Sequence, residues 1–288
     1  MSEEYKISDV RGRFMQPVKE GRRLNDPSWT NGRIVLSNKR LVLAGNGGKR
    51  TVPLSKVEGL GGRHDASQAV ARVSGYTSLP FDGGENVVLV ATEDHDTLEG
   101  DLYRAFLDQE VVYAKHPAVA GGVVQDSVWE QARVKVGDDS LDVATKSGAF
   151  VQLDLDDIGG ISTGERTVEG EMRGVIEAEH TEGETSVQTH LSGTERQCRF
   201  LAAYLQKGAE RSKANVDLDE SDREVLMALY SGVSPFEIPN FLGMDTDRVE
   251  SIFERLIELD VLEEVRVRRE VSLKPRGRNI ASEAMNDQ

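Results

Sequence analysis

The residues that could carry acid–base or metal chemistry are few and lie far apart in the sequence. His64 and Asp65 are adjacent, with Ser67 close by, and these are the three residue types of a hydrolase triad. No Gly-x-Ser-x-Gly nucleophile elbow accompanies them, and closeness in sequence does not give triad geometry. None of the five histidines has metal-ligand spacing: His64, His95, His116, His180 and His190. We expect His180 and His190 to be ordinary surface residues on neighbouring strands.

Three other features carry reactive residue types without the required pattern. Asp154, Asp156 and Asp157 could hold a divalent cation, but they lack calcium-loop spacing and suit a solvated hairpin edge. The run Gly45-Asn46-Gly47-Gly48 predicts a turn, because neither Gly-Lys-Ser/Thr nor a helix follows it as in a phosphate loop. The only cysteine, Cys198, excludes a disulfide framework and a cysteine metal cluster. We therefore expect neither catalysis nor a bound cofactor or metal.

Length and composition favour a soluble protein of more than one domain. The chain has 288 residues, of which 38% are hydrophobic and 30% charged, so two or three domains can each bury a core. No apolar run approaches the roughly 20 residues that span a bilayer. The start, Met-Ser-Glu-Glu-Tyr, has no signal-peptide character. We expect a cytoplasmic protein without membrane insertion.

The charge balance is strongly acidic. The net charge is −15, and Arg outnumbers Lys by 24 to 11. This pattern is typical of proteins in a salt-rich cytosol, where salt screens the repulsion between carboxylates, although an ordinary acidic protein is the alternative. An acidic surface is a poor match for nucleic acid, whose phosphates are bound by Lys and Arg.

The chain repeats itself at a spacing of about 100 residues. The segment W-T-N-G-R-I-V-L-S-N-K-R-L-V-L-A-G-N-G-G-K-R from Trp29 aligns with a segment from Trp129, and these are the only two tryptophans. Further matching pairs are Arg33 and Arg133, Leu41 and Leu141, Ala44 and Ala144, and Gly48 and Gly148. The repeat predicts two tandem modules.

Each module is expected to contain short antiparallel strands followed by one amphipathic helix. The predicted strands are 33–36, 40–44 and 87–90 in the first copy, and a hairpin of 174–180 with 185–191 in the second. The predicted helices are 97–108 and 194–207. This is the layout of a pleckstrin-homology-like module, and G-R-I-V-L-S-N-K-R-L-V-L resembles the opening hairpin of the GRAM-like branch of that superfamily.

A helical domain is predicted after a polar linker. Asp219 is a candidate N-cap for a first helix that ends near Tyr230, and Ser234-Pro235-Phe236-Glu237 is a candidate capping box for a second helix. The third helix is expected over 245–259, followed by strands near 265–267 and 271–273. Three helices followed by a β-wing form a winged helix. The fold class is therefore α+β, with modules over 1–110 and 111–208, a linker over 209–215 and a winged-helix domain over 216–288.

Winged helices commonly bind DNA through the third helix, but here that helix is acidic. From Asp245 to Asp260 it carries six acidic residues against Arg248 and Arg255, and Pro239 is expected to shorten or kink the helix before it. The wing region is basic instead. Six cations, Arg266, Arg268, Arg269, Lys274, Arg276 and Arg278, stand against Glu270. We interpret the domain as a protein-binding winged helix, with solvated wing residues as the alternative.

The whole order resembles the archaeal CheF family of taxis proteins. The resemblance rests on the two Trp-started β modules, the hairpin N-G-R-I-V-L-S-N-K-R-L-V-L, the winged-helix tail and the acidic composition, and it covers essentially the full chain. It implies an adaptor that connects the chemotaxis system to the archaellum motor. The implied partners are the response regulator CheY, preferably phosphorylated, CheC/CheD-type proteins and accessory proteins at the cytoplasmic face of the motor. It leaves homodimerisation open.

The charge contrast of the tail suggests where CheY binds. The hypothetical contact residues are those of the basic wing and a following short helix: Arg266, Arg268, Arg269, Arg276, Arg278, Ile280 and Met285. Two other functions compete with this interpretation. One is a winged-helix transcription regulator with an N-terminal sensing region. The other is lipid binding by a first-module patch, Lys39, Arg40, Lys49 and Arg50, which the second copy does not repeat.

Overall fold

The computed structural model describes residues 3–25, 27–61, 75–183, 185–214, 218–259 and 261–262. Contacts divide the chain into two compact units, Met1–Asn215 and Val216–Gln288. The first unit holds two β-sheets and two helices, and the second is helical in its described part. This confirms the α+β class. The pleckstrin-homology-like and winged-helix assignments and the boundaries proposed for them stay predictions.

The first sheet is entirely antiparallel and is followed by a helix. Its elements are β1 (Lys6–Lys19), β2 (Arg22–Arg23), β3 (Thr30–Ser37), β4 (Arg40–Gly45), β5 (Gly48–Pro53), a 3-10 turn (Leu54–Lys56), β6 (Thr77–Phe81), β7 (Asn86–Thr92) and α1 (His95–Leu107). The strand order is β5-β4-β3-β1-β7-β6, and β2 pairs with the end of β1. The long strand β1 therefore lies in the middle and joins the two halves of the sheet.

The second sheet has the same arrangement with one more strand. Its elements are β8 (Val111–Ala120), β9 (Val123–Val124), β10 (Glu130–Val136), β11 (Ser140–Thr145), β12 (Phe150–Asp154), a 3-10 turn (Leu155–Asp157), β13 (Gly160–Val168), β14 (Glu171–Glu182), β15 (Thr185–Ser192) and α2 (Glu195–Ala214). The order is β12-β11-β10-β8-β15-β14-β13, and β9 pairs with β8. The structure thus repeats the element order that the two tryptophan-started segments predict.

The predicted strands and helices of both modules are present, but the central strands β1 and β8 were missed. A strand with one exposed face usually alternates polar and apolar residues. Strand β1 instead carries register shifts in its pairing with β3 and in its pairing with β7, which begins only at Gly12. Its sequence, KISDVRGRFMQPVK, contains Gly12 and Pro17, which usually weaken a strand prediction. Pairing with β3 and β7 therefore forms a strand that local sequence does not indicate.

A row of three glycines crosses the first sheet, and two of them lie against an aromatic ring. Gly12 lies opposite Gly32, and Gly32 lies opposite Gly45. A β-carbon on Gly32 would lie 2.2 Å from the carbonyl oxygen of Ala44 and 2.8 Å from Cε1 of Phe14. A β-carbon on Gly45 would lie 3.1 Å from Cζ of the same ring. The glycines are needed because the Phe14 ring and the neighbouring backbone fill the space of their side chains.

One continuous core joins the two modules, instead of the separate core expected for each. The rings of Phe106 on α1 and Phe200 on α2 stack with centroids 4.2 Å apart, and those of Tyr103 and Tyr204 lie 5.0 Å apart. The guanidinium of Arg196 lies over both phenylalanines, 5.4 and 5.0 Å from their centroids. The two sheets are consequently held in one packed unit by their helices.

Arg196 also ties α2 to the backbone of the first module. Its Nε donates to the carbonyl of Val57 at 3.0 Å, and its Nη2 donates to the carbonyl of Leu54 at 2.9 Å. Burial lowers the pKa of this guanidinium, yet two carbonyls and two ring faces compensate for the lost water. The planar fork of Arg suits this double contact better than the single ammonium of Lys.

The second unit contains α3 (Glu220–Tyr230), α4 (Ile238–Leu242) and α5 (Thr246–Glu258), the three helices that the sequence predicts. Asp219 caps α3 in a reciprocal capping box with Asp222, through bonds of 2.9 Å in each direction. Arg255 of α5 donates to both carboxylates, and Asp222 is fully buried. The core of this unit consists of Val225, Ala228, Ile238, Val249, Ile252 and Leu256.

The predicted start of the middle helix was wrong. The helix begins at Ile238 rather than after Ser234, and its N-cap, Glu237, makes no side-chain cap bond. Pro239 therefore occupies the second helical position, where a missing N–H costs nothing. Of the two predicted effects of this proline, the helix shows the shortening, with five residues, and not the kink. The predicted wing strands lie outside the described residues.

Replacing Arg196 with Ala should destabilise the first unit by about 2–4 kcal/mol, because two carbonyls and two ring faces lose a partly buried partner. Arg196→Lys should recover less than half of this. The comparison variant is Arg199→Ala on the same helix, whose half-exposed side chain makes one bond to the carbonyl of Glu58 at 2.8 Å and an exposed ion pair with Glu195, and should contribute about 1 kcal/mol. Urea unfolding followed by circular dichroism measures all three. Equal losses in R196A and R199A would refute the anchoring role.

Gly32→Ala should lower the free energy of unfolding by about 1–3 kcal/mol, the usual cost of overpacking. The new methyl would press on the backbone oxygen of Ala44, which cannot move aside as a flexible side chain would. Gly47→Ala is the control, because nothing lies within 4 Å of a β-carbon there. Thermal melting of both variants tests the difference, and a Gly32→Ala variant as stable as Gly47→Ala would contradict it.

Candidate interaction surface

The seven residues predicted to bind CheY, from Arg266 to Met285, lie outside the described residues, and so do His64, Asp65 and Ser67. The described part of the chain nevertheless contains a candidate surface that the sequence analysis missed. It is an open groove of about 1560 Å³ beside β1, where that strand passes the start of α1. We call it the cationic groove. Its charged lining residues are Lys6, Asp9, Arg11, Arg13, Arg33, Glu93 and Asp94.

Some charges of the cationic groove are already neutralised. Arg33 donates from Nε and Nη2 to the two oxygens of Asp9 at 2.5 and 2.6 Å, and Lys6 reaches the same carboxylate at 3.3 Å. The Arg33 hydrogen bonds lower the pKa of Asp9 to about 2, so it stays ionised. Asp94 is held as the N-cap of α1 by the backbone and hydroxyl of Thr97.

Two other arginines of the groove make no such ion pair with any described residue. Arg11 and Arg13 are exposed, two residues apart on β1, and therefore point to the same face of the sheet. Among the described residues neither has a hydrogen-bond or ion-pair partner. An arginine fork with free donors is suited to bind a carboxylate or phosphate in a bidentate manner.

A charge count along the chain would have indicated this surface. The first 60 residues carry twelve Lys and Arg against six Asp and Glu, although the net charge of the chain is −15. The rest of the chain is accordingly more acidic than the total suggests. Neither the overall charge nor the basic tail indicates this N-terminal excess.

The second module presents a different outer face at the equivalent positions. In the first sheet, Arg11 pairs with Arg33, Arg33 with Ala44, and Ala44 with Lys49. The equivalent row in the second sheet is Val111, Arg133, Ala144 and Phe150. Val111 and Phe150 are 47% and 61% exposed. One architecture therefore carries a cationic face in its first copy and a partly apolar face in its second.

The candidate lipid patch is weaker than its sequence suggests. Arg40 donates to both carboxylate oxygens of Glu4, with Nε at 2.7 Å and Nη2 at 2.5 Å. Arg40 thereby lowers the pKa of Glu4 to about 2, so this ion pair persists. Lys39 and Lys49 are exposed and Arg50 is partly buried. The patch thus offers three cations instead of four.

The prediction that His180 and His190 are surface residues was wrong. They are 3% and 7% exposed, and the Trp129 ring lies 6.3 Å from that of His190. Thr189 Oγ1 lies 2.8 Å from Nε2 of His180 and 2.7 Å from Nδ1 of His116. The hydroxyl can donate to one ring and accept from the other, so the three residues form a buried hydrogen-bonded chain.

Burial lowers the pKa of His116 and His180, and it also lowers that of His190. Glu182 and Asp157 oppose this effect on His180 only in part. The rings are therefore neutral at neutral pH and have a structural role. Within the described ranges no group of three or more His, Cys, Asp and Glu side chains is placed to hold a metal.

The remaining candidates also have structural roles. Asp157 accepts hydrogen bonds from the backbone and hydroxyl of Thr181 at 2.7 and 2.9 Å. Gly45 to Gly48 form the predicted tight turn between β4 and β5. Burial raises the pKa of the Cys198 thiol, which keeps it protonated. On α5 the acidic residues Asp247, Glu250, Glu254 and Glu258 are exposed, an unfavourable surface for DNA.

Comparison with known proteins identifies the family. A family model described as "Archaeal Chemotaxis signal transduction system protein F" matches residues 6–211, and a domain of unknown function matches residues 217–286. Taxis protein CheF1 of Halobacterium salinarum is 55% identical over 291 residues, covering 100% of both chains. The chain belongs to the archaeal CheF family. It is therefore a chemotaxis signal-transduction protein, as the resemblance implies.

A second relative and one solved structure complete the comparison. Taxis protein CheF2 of the same organism is 26% identical over 241 residues, covering 80% of this CheF-family chain and 83% of the relative. A crystal structure of the C-terminal domain of an unknown protein from Leishmania infantum matches with a TM-score of 0.26 and 7% identity, covering 34% of this chain and 81% of that one. In the part of the chain that the structure describes, no helix is long and apolar enough to cross a membrane.

Protonation of the histidine chain should destabilise the first unit as pH falls. The pKa of each ring is lower in the folded state than the ordinary 6.5, so the unfolded chain binds more protons below that value. Stability should be complete above about pH 6.5 and fall below it by up to about 1.4 kcal/mol per pH unit for each group. His180→Gln should flatten this dependence, whereas Ser186→Ala, an exposed change on the neighbouring strand β15, should not. Urea midpoints across the range measure it, and parallel curves for both variants would refute it.

Proposed function

We propose that this CheF-family chain is a non-catalytic adaptor. It links phosphorylated CheY, together with CheC/CheD-type proteins, to the archaellum motor and so controls the switching of rotation. It acts in the cytoplasm, at the cytoplasmic face of the motor. Membership of a chemotaxis family supports the signalling part of this proposal.

The observation that best supports an adaptor is the difference between the two modules. They share one core and one strand order, so they form a single unit, yet their equivalent outer rows are cationic in one and partly apolar in the other. Different surfaces on one unit allow different partners to bind at the same time. The separate C-terminal unit adds a further surface. Nothing in such an arrangement requires a reaction to be catalysed.

Two finer assignments belong to the same proposal. The modules are pleckstrin-homology-like, which agrees with antiparallel strands that end in one C-terminal helix. The C-terminal unit is a winged helix whose basic segment binds CheY. A response regulator exposes an acidic phosphorylation pocket, and a segment with Arg266, Arg268 and Arg269 complements that charge.

Replacing Arg266, Arg268 and Arg269 with Gln should weaken binding of CheY by about tenfold or more, because three charges that face an acidic surface are lost. Isothermal titration of the full chain in high salt, with CheY carrying or lacking an acyl-phosphate mimic, measures the effect. The matched control removes three exposed cations elsewhere: Lys135, Lys146 and Arg223.

Tight binding that needs both the mimic and the three arginines would support a phosphorylation-gated adaptor that reads CheY through its tail. Unchanged affinity in the arginine variant would exclude these three arginines as the CheY contact and contradict the charge-based assignment of the site. Absence of binding under every condition would overturn the adaptor role itself. Equal losses in the control variant would show that net charge, and not position, governs the interaction.

A further inference from the structure

The central strand of the first sheet is paired on only one side along its first half. Residues 6–11 of β1 pair with β3, whereas β7 begins to pair only at Gly12, opposite Thr92. The chain leaves β7 after Thr92 and turns into α1, which starts at His95. On the β7 side, residues 6–11 therefore have no strand partner among the described residues.

The cationic groove follows this open edge. Val10 and Arg11 point to opposite faces of the sheet, and both line the groove. Asp94, Thr97 and Leu98 at the start of α1 also line it. The lining also extends across β1 to residues 31–33 of β3 and to Asn46. Because the groove includes both faces of β1 and the start of α1 on the unpaired side, the open backbone edge lies within it.

The second module lacks the same opening. There β8 begins at Val111, and β15 pairs with it as far as Tyr113. The positions that would correspond to residues 6–10 belong to the end of α1 and the turn after it. The open edge is therefore a feature of the first copy and not a general consequence of the repeated architecture.

We propose that the open edge of β1 binds an acidic, extended segment of a partner protein as an added β-strand. The edge presents alternating N–H donors and C=O acceptors, which only another backbone can satisfy together. Phosphate groups of a lipid or a nucleic acid have acceptor oxygens but cannot serve the carbonyls. An added strand would place its side chains beside those of β1, within reach of the exposed forks of Arg11 and Arg13.

The charges of the groove select an acidic segment. Asp9 is neutralised by Arg33 and Lys6, and Asp94 is used as a helix cap, so Arg11 and Arg13 are opposed only by Glu93. Glu93 lies just beyond the end of β7 and limits how far an acidic strand can extend. The proposed strand-binding site on β1 is independent of the proposal that the C-terminal unit binds CheY.

The test uses the full chain and fluorescein-labelled peptides of about eight residues, a usual strand length. One peptide alternates Glu and Val, a second has Lys in place of Glu, and two more carry N-methyl groups on one or the other alternate set of amides. Binding is measured by anisotropy, and hydrogen exchange of residues 6–11 is measured with and without the acidic peptide. Vesicles of phosphatidylglycerol form a separate arm.

The acidic peptide should bind at least about tenfold more tightly than the Lys peptide. Arg11→Glu with Arg13→Glu should reduce its affinity by about tenfold or more, whereas Lys39→Glu with Lys146→Glu, which changes the net charge equally outside the groove, should not. One N-methylated peptide should lose binding and the other should keep it, because only one set of amides faces β1. Exchange at residues 6–11 should slow.

Several results would overturn the proposal. These are no binding of the acidic peptide, equal binding of both N-methylated peptides, or unchanged exchange at residues 6–11. Binding to vesicles that depends on Arg11 and Arg13, without peptide binding, would assign the groove to a membrane surface instead. If the double charge reversal lowers the melting temperature, Arg11→Gln with Arg13→Gln replaces it and should show the same direction of change.

Discussion

The contact between α1 and α2 is the constraint on which the first unit depends. Each sheet has one apolar face that must be covered, and each module supplies a single helix to cover it. The stack of Phe106 on Phe200 makes the two helices part of the same core. Arg196 completes this contact by donating hydrogen bonds to the carbonyls of Leu54 and Val57, in and just after the turn that follows β5. Neither sheet is therefore independent of the other.

This shared core leaves the outer faces free to differ. The inner faces of both copies need apolar residues in the same rows, such as Ile34 and Leu43 in the first and Val134 and Val143 in the second. No such demand acts on the opposite faces, where Arg11 has Val111 as its counterpart. Two copies of a module that share the same inner face can therefore form one packed unit with two unlike outer surfaces.

The parts of the fold that were predictable from the sequence are those governed by local rules. The hairpin of β3 and β4, the two module helices and the cap of α3 at Asp219 follow from alternation, helical periodicity and capping chemistry. The repeat was readable because rare residues such as Trp29 and Trp129 mark it. Strand β1 was not predictable, because pairing with β3 and with β7, which is distant in sequence, overrides a glycine and a proline.

The same distinction explains the errors at the candidate sites. Histidine is compatible with both surface and core, so only the packing of Trp129 and the shared hydroxyl of Thr189 show that His190 and His180 are buried. Ser234 satisfies the sequence pattern of a capping box, yet the helix starts later. The open edge of β1 depends on where β7 stops, which no local sequence pattern encodes. The excess of cations in the first 60 residues, in contrast, can be counted directly from the sequence and would have indicated a basic surface there.

The arginine contacts of the first module share one physical feature, which is that each acts at short range. Salt reduces the range of Coulomb attraction to about 3 Å at molar concentration, so a cation acts mainly on the group that it touches. Paired forks satisfy this condition, as in Arg33 with Asp9 and Arg40 with Glu4. A free fork such as that of Arg11 can bind a carboxylate in the same way only after something else brings the carboxylate close. Backbone pairing along an open strand edge is short-ranged and insensitive to salt, so the open edge and the free arginines of one groove are complementary parts of a single binding surface.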